Sequence, residues 1–317
     1  MLQLEGEAHG LADRLPDLLM EAMRISSTVA HGIHGRRRAG PGETFWQFRQ
    51  FQSMDAATLI DWRRSASSDH LFVREREWEA AHTVWLWPDL SASMQFASHL
   101  SSVTKHDRVL VLMLAMAELL VRGGERIALL GLTRPSASRK AATRLAEALA
   151  SNASLPMLQQ SLPPPERLTR FSGVVLLSDF LDPADVIAER LAILAAGGVS
   201  GHMIQVLDPA EESLPYSGRT EFIGVEDQER WTADRAEALR SDYRAALLEH
   251  RAKLEETARR LGWSFMVHHT DRPAAEPILS LIMRMSNAGG DYRMAGSSGA
   301  AAKAGPKSDG SEGVKVP

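Results

Sequence analysis

Two apolar runs of the sequence stop at side chains whose oxygens can bind an ion. TVWLWPDLSASM (residues 83–94) ends its large apolar residues at Asp89 and follows it with Ser91 and Ser93, and GVVLLSDF (173–180) stops in the same way at Asp179. Carboxylate and hydroxyl oxygens without thiolate or imidazole suit a hard cation, Mg²⁺ or a similar divalent ion. Such an ion keeps several waters, so a few protein oxygens suffice and one position stays open for an outside ligand. A carboxylate from a partner protein would complete that shell, making the metal adhesive and not catalytic. Asp and Ser at a helix start also cap it by accepting hydrogen bonds from its first amides, and this alternative applies to Asp89, Ser91 and Ser93. For Asp179 the alternative is a loop cap. Asp182 and Pro183 read as the cap and first residue of the next helix, which leaves Asp179 for another role.

These residues need a scaffold that brings separate segments together. From Thr83 onward the chain alternates between apolar runs and helical periodicity. The predicted strands are TVWLW, RIALLGL (126–132), GVVLLSD (173–179), HMIQVLD (202–208) and WSFMVHH (263–269), and the predicted helices cover about 108–121, 139–150, 183–196 and 234–261. Nearly continuous apolar strands are those covered by helices on both faces of a parallel sheet. The fold class is therefore α/β, a doubly wound, mostly parallel, Rossmann-like sheet, in which ligands bind outside the carboxyl ends of the strands. Asp89 and Asp179 lie at such ends. A helix over 15–28 precedes this part, residues 218–233 read as an edge hairpin, and SLPPPE (161–166) reads as a loop.

Between residues 35 and 80 the texture differs. GRRRAGPGETFWQFRQFQ, DWRRSA and LFVREREWE carry only Arg as basic residues, with aromatics among them and acidic residues of nearly equal number. Guanidinium groups hold carboxylates bidentately and stack on rings, so the segment reads as an Arg-rich, β-containing subdomain with fixed ion pairs. The balance of signs argues against a nucleic-acid surface. The tryptophans gathered here and just beyond (Trp46, Trp62, Trp78, Trp85, Trp87) read as buried anchors.

The remaining composition mainly excludes. The chain has no cysteine, which removes disulfides, thiolate metal sites and a Cys nucleophile. Its formal net charge of -4 gives no general attraction to nucleic acid. No basic-then-apolar leader begins the chain, and VLVLMLAMAELLV (109–121) is shorter than a bilayer crossing requires and contains Glu118. These features lead to the expectation of a cytoplasmic protein with no transmembrane segment. His268 and His269 are adjacent on a strand and point to opposite faces, a poor metal pair. His31 and His34 read as loop residues because glycines flank them.

The motif Asp89-x-Ser91-x-Ser93 resembles the metal-ion-dependent adhesion site of von Willebrand factor A domains. Together with the Arg-rich block upstream, the chain resembles the DUF58 family of bacterial proteins over about residues 15–285. That resemblance implies a von Willebrand factor A-like fold, and VVLLSDFLDP carries Asp179 over as a metal-shell residue. It also implies a partner, a MoxR-type AAA+ ATPase, with a role in assembling or maturing a complex that includes a further client protein. In the adhesion site a threonine from another loop completes the shell, and Thr133 and Thr143 are candidates without a motif around either.

Enzyme signatures are missing: no GxSxG elbow, P-loop or GxGxxG occurs, and Ser91 stands where a haloacid-dehalogenase-like phosphatase needs a second Asp. The expectation is thus a non-catalytic interaction module with metal ligands Asp89, Ser91, Ser93 and Asp179. The alternative is a metal-dependent hydrolase using the same site. The expected organisation is an N-terminal helix over 1–34, the Arg-rich subdomain over 35–80, the α/β domain over 81–287 and a tail without order over 288–317.

Overall fold

The computed structural model describes residues 2–34, 47–51, 60–68, 70–75, 82–153, 155–224 and 229–285. Arg36 to Arg38, Trp46, Trp78 and the tail over 288–317 lie outside the described residues. In chain order the elements are α1 (Leu2–His34), β1 (Gln47–Gln50), α2 (Trp62–Ser65), β2 (Phe72–Glu75), β3 (Thr83–Pro88), α3 (Lys105–Arg122), β4 (Arg126–Leu129), α4 (Ala141–Asn152), β5 (Gly173–Ser178), α5 (Ala184–Ala195), β6 (Ser200–Leu207), α6 (Pro209–Ser213), β7 (Thr220–Ile223), β8 (Arg230–Ala233), α7 (Arg240–Arg260) and β9 (Ser264–His269). A final helical run covers 275–285.

Five strands form one parallel sheet in the order β4-β3-β5-β6-β9. Its middle strands are apolar on both faces because helices cover both. Val84, Leu86, Val175, Leu177, Ile204 and Val206 pack toward α1, α3, α4 and the final helix. Trp87, Val174, Leu176 and Met203 pack toward α5 and α7. This is the doubly wound α/β architecture. The strand order reverses between β3 and β5, since β4 lies to one side of β3 and the later strands to the other. That is the switch point at which such sheets open a crevice.

Each helix follows from a local cause. Thr104 caps α3 by accepting from the Asp107 amide at 3.1 Å, and its residues Val109 to Ala117 are all buried between the sheet and α1. Helix α1 lays Leu15, Leu18, Ala22 and Val29 into the same core and is pinned to α3 where Arg14 forks onto both oxygens of Asp107, each at 2.8 Å. It extends through His31 and His34, which the glycine-based reading assigned to a loop. Glycine costs a helix only about 1 kcal/mol relative to Ala, too little to stop one whose earlier turns are docked. The predicted hairpin forms, β7 pairing antiparallel with β8, but as a two-stranded sheet of its own and not on the edge of the five-stranded one.

In the Arg-rich region β1 and β2 pair antiparallel, and the Arg64 guanidinium lies 5.7 Å from the Phe72 ring centroid. Trp87 is a buried anchor, whereas Trp62 is 64% exposed, contrary to expectation. Pro88 sits in a central strand without loss. The Asp89 amide next to it donates to Leu177 of β5 at 2.8 Å, so the missing Pro88 donor faces the β4 side, where pairing with β3 ends at Leu129.

Beneath the sheet, the Trp263 ring lies on the bare backbone of Gly201, and its Nε1 donates to the Val199 carbonyl at 3.0 Å. A Cβ on Gly201 would come within 1.9 Å of that ring. Gly201→Ala should therefore lose about 1–3 kcal/mol of unfolding free energy, the usual cost of overpacking. Urea denaturation followed by tryptophan fluorescence measures it, and an unchanged midpoint would refute the close packing of Trp263.

Candidate functional site

Three neighbouring strands, β3, β5 and β6, each end on an aspartate: Asp89, Asp179 and Asp208. Because the strands are parallel and adjacent, the three carboxyl groups emerge on one edge of the sheet, across the switch point. All three are buried, as is Ser91.

Asp89 is held from two sides. Its Oδ1 accepts from the Ser91 amide at 2.9 Å, closing the turn that follows β3, and its Oδ2 accepts from the Ser178 hydroxyl at 2.6 Å. Burial first, and the nearby Asp179 charge second, raise the Asp89 carboxyl to about 6, against hydrogen bonds from Ser178 and Ser91 that pull it down. Ser91 and Ser93 have their hydroxyl oxygens 3.2 Å apart. Ser93 then donates to Asp179 Oδ2 at 2.8 Å. The four residues singled out in the sequence thus meet at one place. Ser91 precedes the short 3-10 turn Ala92–Gln95, but its side chain makes no capping bond to it, so the capping alternative does not account for the serines.

At Asp179 the backbone helps. Phe180 adopts φ 50°, a left-handed conformation uncommon for a bulky residue. It is fixed by Ser178 Oγ at its amide, 3.0 Å, and by His250 Nε2 against its carbonyl oxygen, 2.6 Å. This bend follows the strand end at once and lets Asp179 turn back into the cluster. Helix α5 starts at Ala184 with Pro183 in the cap position, so Asp182 is not the cap assigned to it, and the first helical residue lies one place later than predicted.

The unforeseen member is Lys105, the first residue of α3. Its side chain is 1% exposed, and Nζ donates to Asp179 Oδ2 at 2.9 Å and to Glu211 Oε1 at 2.6 Å. Burial alone would push this lysine down. The Asp179 and Glu211 charges more than offset it, and the ammonium group ends above its ordinary value. Glu211 is raised by burial against the pull of Lys105. Its other oxygen accepts from the Asp208 amide at 2.8 Å, one half of a capping box that starts α6. Asp208 in turn accepts from the Ser98 amide at 2.9 Å and from the Ser98 hydroxyl, fastening the loop after β3 to the end of β6.

Lys105, Glu211, Asp208, Ser98 and Ser178 were not found by sequence reasoning. Asp208 follows the same pattern as the other two strand ends and was legible on that ground. Lys105 left one signal: a cation in the first turn of a helix opposes the helix dipole and needs an anion nearby.

Whether these residues fit a divalent ion depends on Lys105. Asp179 Oδ2, the oxygen nearest the serines, already serves both Ser93 and the ammonium. A dication about 4 Å from an ammonium meets roughly 8 kcal/mol of repulsion at an effective dielectric near 20. Among the described residues, no three acidic or histidine side chains are placed to hold a metal ion. Thr133 Oγ1 is used by the Leu129 amide at 2.8 Å, and Thr143 is exposed on α4. With Lys105 in place the constellation does not fit the ion. The hydroxyls of Ser91 and Ser93 are bonded to each other and to Asp179, whose Oδ2 is shared with the Lys105 ammonium.

A second ionic layer adjoins the first. Gln205 donates to the Asp179 carbonyl at 2.8 Å and accepts from Arg251 Nε at 3.1 Å. Arg251 forks onto Glu212 at 3.2 and 2.6 Å, and Glu212 lies 3.3 Å from His269 Nε2. His268 is buried on the opposite side, where burial and Arg108 push it down to about 3. The two histidines therefore diverge as predicted.

A family profile described as "Protein of unknown function DUF58" matches residues 47–253. The uncharacterized proteins Mb1516 of Mycobacterium bovis and Rv1480 of Mycobacterium tuberculosis are each 29% identical over 277 residues, 83% of this chain and 86% of theirs. Among solved structures, the chain is similar to the conserved hypothetical protein BatB from Bacteroides thetaiotaomicron, with a TM-score of 0.37, 12% identity, and coverage of 65% of this chain and 100% of that one. It is also similar to an aerotolerance-related membrane protein from Bacteroides fragilis bearing multiple mutations to serines, with a TM-score of 0.36, 16% identity, and coverage of 64% and 100%. The expectation of a cytoplasmic location is not retained; this second neighbour is named a membrane protein. Among the described residues no helix is long and apolar enough to cross a membrane, a fact that assigns no compartment.

Asp89 gives a test by pH. The folded protein holds the Asp89 proton more tightly than the unfolded chain, so ionising it opposes folding. This penalty is absent below about pH 4, grows between 4 and 6, and reaches about 3 kcal/mol above that. Asp89→Asn removes the charge and keeps one acceptor, for the Ser91 amide, while its NH₂ turns the Ser178 hydroxyl from donor to acceptor. Its stability relative to the native protein, from urea unfolding, should rise by about that amount between pH 4 and pH 8. An equal difference at both values would show that Asp89 is not shifted.

Proposed function

The chain belongs to the DUF58 family, and from that membership we propose that it is a von Willebrand factor A-like protein-interaction module that partners a MoxR-type AAA+ ATPase in assembling or maturing another complex. The observation that carries the reading is the assembled strand-end cluster. Asp89, Ser91, Ser93 and Asp179 come together from two strands and are held by one another, by Ser178 and by Lys105. Such a cluster holds loops still. Preorganised loops at a switch point serve recognition, because less ordering entropy is lost when a partner docks.

The docking surface in this reading is the rim around the cluster. Ala92 beside the serines is exposed, and Leu100 and Leu181, in the loops after β3 and β5, are 42% and 44% exposed. Apolar side chains fixed on rigid loops are the kind of anchor an interface uses. The client protein would be reached through the ATPase or through a separate face.

Titrating the purified chain against the MoxR-type ATPase encoded in the same genome, by calorimetry, tests the proposal. A complex of micromolar or tighter affinity is expected, weakened at least tenfold by Leu181→Asp and by Ala92→Arg with thermal stability unchanged. No measurable complex would remove the ATPase from the account. Full binding by both variants would remove the rim.

A further inference from the structure

The strand-end cluster carries its own cation. Lys105 is the only basic side chain with recorded bonds to the carboxylates of the cluster among the described residues. It reaches them from the start of α3, where the helix dipole disfavours positive charge. Fourteen of the eighteen residues of this helix are buried, Lys105 among them. A lysine is almost never enclosed in this way unless anions pair with it.

We propose that the Lys105 ammonium is the resident cation of this site, occupying by a covalent tether the place a divalent ion would take, so that the oxygen cluster assembles without metal. Three features of the geometry support this. Nζ shares Asp179 Oδ2 with Ser93, at 2.9 and 2.8 Å, linking the acidic strand end to the serine loop as an ion between them would. Its second carboxylate, Glu211 Oε1, is positioned by the capping box of α6, so the acceptor is built into the fold. Nζ also lies 5.9 Å from the Phe96 ring centroid, which closes the ammonium on the side of the loop after β3.

An ammonium has three donors and no exchangeable coordination position. Two donors are used on carboxylates, and the side chain is 1% exposed, so an acidic residue from outside does not reach the charge. The site fixes loops and leaves recognition to the rim. This inference does not depend on which partner docks there.

The test uses the full chain. Mn²⁺ is titrated into the native protein and followed by electron paramagnetic resonance, with thermal unfolding recorded in Mg²⁺, in Mn²⁺ and in chelator. The native protein should leave Mn²⁺ free into the millimolar range and melt at the same temperature in all three. Lys105→Ala, which exposes Asp179 and Glu211 to each other, should melt roughly 10 °C lower, recover part of that loss in Mn²⁺, and bind the ion at least tenfold more tightly than the native chain. Lys105→Gln keeps a donor without the charge and provides the same readout if the alanine variant does not fold. Saturable sub-millimolar Mn²⁺ binding by the native protein, with a melting temperature that falls in chelator, would overturn the proposal. Folded Lys105 variants that remain indifferent to Mn²⁺ would also overturn it, by showing that lysine and ion do not share a place.

Discussion

The structure around the sheet's open edge depends on one electrostatic constraint: buried carboxylates at adjacent strand ends cannot be left facing one another. Parallel pairing of β3, β5 and β6 forces Asp89, Asp179 and Asp208 toward the same edge, and Glu211 is added by the turn into α6. Moving such charges out of water costs several kcal/mol each unless hydrogen bonds and a counter-charge replace the lost hydration. Backbone amides supply part of the replacement, Ser91 to Asp89 and Ser98 to Asp208. Lys105 supplies the charge. The loop after β3, the end of β5, the start of α3 and the start of α6 are thereby tied to one point, which is why a single side chain governs so much local geometry.

Buried ion pairs of this kind contribute more to a specific arrangement than to net stability. A Leu in place of Lys105 would leave Asp179 and Glu211 without their counter-charge and would not distinguish one register of the β3 loop from another. The ammonium, with fixed acceptors on two different elements, does. Phe180 adds a backbone contribution. A left-handed residue costs about 1–3 kcal/mol and persists only where its surroundings fix it, here through Ser178, His250 and burial of the ring. That strain lies between Asp179 and the exposed Leu181, at the junction of cluster and rim, so the same bend that turns the acid inward turns the apolar side chain outward.

Much of this was legible from sequence for a simple physical reason. Runs such as GVVLLS and MIQVL have one environment, the centre of a covered parallel sheet, and they determine where the strands end and therefore where polar loops converge. Asp89, Ser91, Ser93 and Asp179 follow from that logic. Lys105 does not, because the predicted helix began at about 108, beyond it, and its burial depends on contacts with residues 74 and 106 positions away. The capping role assigned to Asp182 failed by local geometry: the chain spends its turn at Phe180 and Leu181, so Pro183 itself takes the cap. His31 and His34 were misplaced because the reading weighed glycine propensity alone, whereas tertiary docking of Leu15, Leu18, Ala22 and Val29 sustains α1.

One ammonium does not balance four carboxylates, and the shortfall has a location. Lys105 bonds Asp179 and Glu211 directly. Asp208 is served by amides and a serine, donors that cost little to bury. Asp89 has two good hydrogen bonds but no cation in contact, and its carboxyl is pushed up to about 6, by burial first and by the Asp179 charge second. The tethered single charge bonds Asp179 and not Asp89, whose own charge burial disfavours. The raised carboxyl after β3, set by burial first and by Asp179 second, thus lies beside the carboxylate that Lys105 pairs with.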